Sequence, residues 1–136
     1  MTLYLLDTNI LSNVIRDPRG ACATRIGETP PEQVCTSIIA AAELRFGVWK
    51  RGSSTLAQRV EQLLASLTVL PLQPDADRCY GRLRAELEKQ GQLIGANDML
   101  IAAHALAVDA VLVTDNTAEF TRVAGLSVEN WLRPAT

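Results

Sequence analysis

The chain has 136 residues, 48% hydrophobic and 21% charged, which fits one folded domain over residues 1–136 and argues against a disordered chain. Thirteen basic against 15 acidic residues give a net charge of −2, so the broad basic excess of a typical nucleic-acid binder is missing. Only Lys50 and Lys89 are lysines, however, and the other 11 basic residues are arginine, the side chain that grips phosphate bidentately.

No stretch reaches the roughly 18 apolar residues of a membrane span. The opening MTLYLLDTNILSNVIRD carries no basic leader and is interrupted at Asp7, so it does not read as a signal peptide. Cys22, Cys35 and Cys79 are odd in number and far apart, which fits free thiols in a reducing compartment rather than a disulfide framework or a CxxC metal site. A cytoplasmic protein without membrane contact is expected.

Residues 3–6 (LYLL) form a short apolar run that ends at Asp7 and reads as a buried strand, turning through Thr8 and Asn9 into a helix near 10–16. Pro18 and Gly20 close that helix, and a weaker one occupies 21–27 before the loop ETPPEQ. VCTSI (34–38) is a second strand that runs into a helix over about 39–50, stopped by Gly52 and Ser53. Residues 55–66 set Leu56, Val60, Leu63 and Leu64 on one side of a helix that packs on the sheet, on a second copy or on a partner helix. TVLPL (68–72) is a strand that Pro71 assigns to an edge or to a strand end. A charged helix over 75–90 turns Cys79, Leu83 and Leu87 inward; the apolar helix DMLIAAHALA runs from 98 to about 108, and AVLVT (110–114) is the clearest buried strand. A helical turn in NTAEFTRVAG and a last edge strand in LSVEN complete the chain. Strands alternating with helices predict an α/β fold, a three-layer α/β/α sandwich on a mostly parallel sheet.

In such sheets ligands bind beyond the carboxyl ends of the strands. Asp7 follows the first strand and Asp115 follows AVLVT, so both face one crevice if those strands are parallel neighbours. Glu43 lies on a helix that is apolar apart from itself and Arg45, two positions on and therefore on another face. A carboxylate buried there without a partner costs several kcal/mol by the general penalty for such burial, so something else must compensate it. Asp98 opens an apolar helix, where the dipole favours its charged form, although Asp also suits a plain N-cap. Oxygen ligands alone select hard cations such as Mg²⁺ or Mn²⁺, which activate water and stabilise a phosphodiester undergoing displacement.

LDTNIL, AAAELRFG, GANDMLIAAHALA and VTDNTAEF, in this order, resemble the PIN-domain proteins, most closely the VapC toxins of bacterial toxin–antitoxin pairs; the resemblance runs from residue 3 to about 131. It implies a Mg²⁺- or Mn²⁺-dependent endoribonuclease that cuts RNA, such as a structured tRNA, and a cognate antitoxin that occupies the active-site groove, with a homodimer as the expected assembly. It also implies Asp7, Glu43 and Asp98 as catalytic acids, with Asp7 and Asp98 the principal metal ligands and Glu43 a third. The fourth family position falls on Asn116, an amide here, as a supporting catalytic residue, while Asp115 holds the variable middle position. Thr8, Asn9, Ser37, Asn97 and Thr114 are the expected orienting residues around the ligands.

His104, the one histidine, lies six residues after Asp98, roughly 240° around the helix and so turned away toward packing or an interface. Arg45, Lys50 and Arg51, or Arg78, Arg82 and Arg84, are either guides for RNA phosphates or solvated helix faces. Phe46, Trp49 and Trp131 read as core or interface side chains. An aspartyl-phosphate enzyme would want an acid where Asn9 stands, and no glycine fingerprint supports nucleotide binding. The remaining alternative is a catalytically inert PIN-like module that binds RNA or protein.

Overall fold

A computed structural model describes residues 1–133. Its elements run β1 (Tyr4–Leu6), α1 (Thr8–Arg16), α2 (Ala21–Glu28), a 3₁₀ turn (Pro31–Gln33), β2 (Val34–Ser37), α3 (Ile38–Arg51) and α4 (Ser54–Ala65). They continue with β3 (Thr68–Leu70), α5 (Ala76–Lys89), α6 (Ala96–Ala107), β4 (Val111–Val113), α7 (Thr117–Phe120) and β5 (Val128–Glu129). The five strands form one sheet in the order β3-β2-β1-β4-β5, with every pairing parallel. Helices cover it, giving the three-layer α/β/α sandwich that the alternation of elements predicts.

Strands buried on both faces read as continuous apolar runs, and β1 and β4 do so here. Leu5, Leu6, Leu112 and Val113 are fully buried at the centre of the sheet, with Ile10 and Leu11 of α1 and Ile101 and Ala102 of α6 closing over them. Each such leucine contributes about 1.5–3 kcal/mol relative to exposure. The α5 side chains Leu83 and Leu87 are buried and Cys79 is half-buried, and this helix packs chiefly on α6. The amphipathic α4 buries Val60 and Leu64 against α3, α1 and the edge strand β3.

The sequence reading needs several corrections. The third strand stops at Leu70, because Pro71 has no N–H to continue the ladder. The apolar helix begins at Ala96 with Gly95 as its N-cap, so Asp98 lies inside the first turn and is not the cap. Phe46 and Trp49 are not core residues: they stand 67% and 86% exposed on α3. That helix is apolar nearly all round, so its pattern does not tell which face is covered. Trp131, by contrast, is 3% exposed, packed against Tyr4 at 5.1 Å between ring centroids and capped by the Arg25 guanidinium at 4.9 Å. No helix among the described residues is long and apolar enough to cross a membrane.

Candidate active site

The strand order reverses at β1: β2 and β3 extend the sheet to one side, β4 and β5 to the other. This reversal opens a crevice at the carboxyl ends of β1 and β4. Asp7 leaves β1 there, with its N–H bonded to the Val113 carbonyl at 2.9 Å. It also caps α1, its Oδ1 accepting the Thr8 N–H at 2.7 Å, while Oδ2 accepts the Thr114 hydroxyl at 2.7 Å and the Asn9 amide at 3.3 Å. The carboxylate is 3% exposed. Burial pushes its pKa above the usual range, and the Glu43 charge adds to that; the Thr114 and Thr8 hydrogen bonds pull the other way.

Glu43 reaches the same place from the second turn of α3, half-buried, with Oε1 accepting the Thr8 hydroxyl at 2.6 Å. Asp98 arrives from the first turn of α6. Its pKa is pushed up to about 6, first by burial and then by the charges of Asp7, Glu119 and Glu43. Glu119 is the acid that sequence reasoning missed. It sits on α7, only four residues long and without any periodicity to read, three positions past Asn116 in VTDNTAEF. Among the described residues none of these four carboxylates has an ion-pair partner.

Neutral donors hold the acids in place. Thr114 accepts from the Asn9 amide at 3.2 Å and the Asn116 N–H at 3.0 Å while donating to Asp7, and Asn9 Oδ1 accepts the Asp115 N–H at 3.0 Å. Thr8, Asn9 and Thr114 are thus brought to the carboxylates. Asp115 is turned aside: its Oδ1 accepts from the Asn130 amide at 3.0 Å and meets Arg133 at 3.4 Å. Asn116 stands at the N-cap position of α7 without a side-chain capping bond, and Asn97 is exposed beside Asp98.

Ser37 is elsewhere. Its oxygen caps α3 by accepting the Ile39 N–H at 3.1 Å and lies 2.7 Å from His104 Nδ1, with no bond to an acid. His104 is fully buried, and burial lowers its pKa while the Pro71 backbone works in the opposite direction.

The arginines divide in two. Arg45 grips Glu61 through two bonds of 2.8 and 3.1 Å, Arg78 pairs with Asp75, Arg82 with Glu86, and Arg84 donates to the Tyr80 hydroxyl. Arg51 instead lines a groove of about 370 Å³ beside Thr8 and Glu43.

Four carboxylates that lack a cationic partner, two of which (Asp7 and Asp98) have raised pKa values, are oxygen donors suited to a hard divalent ion. Among the described residues no three acid, histidine or cysteine side chains stand close enough together to hold a metal ion by themselves.

Comparison with known proteins points to one family. The PIN domain family matches residues 4–126. Ribonuclease VapC2 of Haemophilus influenzae is 40% identical over 136 residues, 97% of this chain and 100% of the relative. The tRNA(fMet)-specific endonuclease VapC of Shigella flexneri is 33% identical over 96% of this chain and 99% of its own length. The crystal structure of VapBC2 from Rickettsia felis, bound to a DNA fragment from its promoter, superposes with a TM-score of 0.86 at 34% identity, over 96% of this chain and 99% of that one. On the fold, the crevice and these relatives together, the chain belongs to the PIN domain family, among its VapC ribonucleases.

Proposed function

We propose that this chain acts as one nuclease domain, the toxin of a toxin–antitoxin pair, and cuts RNA phosphodiester bonds with the help of Mg²⁺ or Mn²⁺. The observation that carries the reading is the convergence of Asp7, Glu43 and Asp98 on one crevice with no cation to answer them. Asp7 and Asp98 are the principal ligands and Glu43 the third, with Glu119 in electrostatic reach. The ion supplies an oriented, activated water and offsets the charge that builds on the phosphodiester.

The chain's own residues prepare that chemistry. Thr8 fixes Glu43, and Thr114 and Asn9 fix Asp7, so the carboxylates meet the substrate already oriented. Asn116 supports the site through a neutral amide. The substrate is a structured RNA; the specificity of the Shigella flexneri relative makes tRNA the first to try. The partner is a cognate antitoxin, as in the VapBC2 pair of Rickettsia felis; on this reading it covers the groove in the resting complex, and exposed Phe46 and Trp49 favour a homodimer. The working location is the cytoplasm, where such RNA is found.

The test is cleavage of total cellular RNA by antitoxin-free protein with Mg²⁺ or Mn²⁺, alongside Asp7→Asn and Asp98→Asn. Discrete products from the parent, lost with EDTA and in both variants, are the expected result. Intact RNA from a folded parent would leave the inert binding module in its place.

A further inference from the structure

The groove beside Thr8 and Glu43 has a second end. Its walls carry Ser12 and Arg16 of α1 and Gly47 and Arg51 of α3, over an apolar floor that includes Leu56 and Val60. The Thr8–Glu43 bond ties the two helices at the acid end. Arg16 lies eight residues beyond Thr8, and Arg51 eight beyond Glu43. At 1.5 Å per residue both arginines therefore sit about 12 Å from that bond along their helices, on the same groove. Both are exposed, and neither joins any ion pair among the described residues, unlike Arg45, Arg78 and Arg82.

On the ribonuclease reading above, we infer that this groove is a nucleotide subsite, in which Arg16 and Arg51 hold an RNA phosphate neighbouring the one at the carboxylates. The ligand's chemistry matches both parts of the groove. A nucleotide offers a flat apolar base face to the Leu56 and Val60 floor and an anion to the two guanidinium forks at the rim. The volume of about 370 Å³ is within the range of small-molecule sites. The placement also resolves the charge problem of a ribonuclease with net charge −2: the cations needed are local, and acid and base stand at opposite ends of one channel. RNA then lies along the groove, with one phosphate at the carboxylate end and another held by the arginines.

The experiment uses the full chain with Arg16→Gln, Arg51→Gln and, as a control at the end of α5, Lys89→Gln. Binding of fluorescein-labelled bulk tRNA is measured against salt in an Asp98→Asn background, and cleavage is measured with Asp98 intact. Each arginine variant is expected to weaken binding about tenfold and to reduce the log–log salt slope by about 0.7–0.9, with KM rising and kcat held. Arg16→Lys, which keeps the charge but not the fork, should retain the slope and lose part of the affinity. Lys89→Gln should behave as the parent.

Unchanged binding and KM in both arginine variants of an active parent would overturn the subsite alone. So would variants that bind tRNA normally but lose the purified antitoxin, which would assign the groove to the protein partner. A folded parent that neither binds nor cuts RNA would instead bring down the ribonuclease reading, and the subsite with it.

Discussion

Asp7 and Asp115 follow neighbouring parallel strands, β1 and β4, yet they are answered in opposite ways. Asp7 is 3% exposed and every partner it has is neutral: a hydroxyl, an amide and a backbone N–H. Asp115 is about one-third exposed (31% for the side chain) and faces a guanidinium and an amide, Arg133 and Asn130. A carboxylate closed by a cation is finished as structure. One held only by neutral donors keeps its field, and burying it so costs stability unless something from outside compensates. The difference separates scaffold from site without reference to any motif.

Breaking the open side of this comparison should have the largest effect. Asp7→Asn or Asp98→Asn is expected to lower RNA cleavage by at least about a hundredfold, read from initial rates at saturating Mn²⁺. Next, Mn²⁺ at a hundred times its Kd should stabilise the parent by about 2.7 kcal/mol and Asp98→Asn by much less, read from thermal unfolding with and without EDTA. Thr114→Val removes the hydroxyl that donates to Asp7 and accepts from Asn9, and should cost about 1–3 kcal/mol in urea denaturation.

A pH series sharpens the contrast further. The Asp98 carboxyl is raised from 3.8 to about 6, so the folded protein holds a proton that the unfolded chain has already released. Its contribution to metal-free stability therefore falls as pH rises from 3.8 to about 6. The parent should lose ground to Asp98→Asn across that window, and a constant gap between their melting temperatures would contradict the placement. The smallest effect belongs to the closed side: Asp115→Ala should change stability by no more than about 1 kcal/mol and leave cleavage near the parental rate.

Much of the fold was legible because the strands are short, apolar and punctuated. LYLL ending at Asp7 and AVLVT ending at Thr114 located the crevice, and the odd polarity of Glu43 on an apolar helix located its wall. What escaped was whatever depends on distant partners. Glu119 lies on a four-residue helix with no pattern, and its reach to Asp98 is created by the fold. The separation of Arg45 from Arg51, one spent on Glu61 and the other free on the groove, rests on a contact 16 residues away. Ser37 was expected as an orienting residue from the resemblance alone, and its 2.7 Å approach to His104, 67 residues away, is likewise a contact that only the fold creates. Exposure of Phe46 and Trp49 was hidden for a related reason: neighbours, and not the helix's own sequence, decide which side of α3 is covered.

The bond from Thr114 to Asp7 spans 107 residues of chain, and Asp98 arrives only slightly earlier than Thr114. During synthesis the first acid therefore emerges long before the residues that bury and orient it. Contacts of such sequence separation form late, after the loop between them has been closed. A ribosome making this chain holds no assembled nuclease until β4 has left the exit tunnel and docked beside β1. A product cut short before that point carries Asp7 and Glu43 but lacks the strand that completes the crevice.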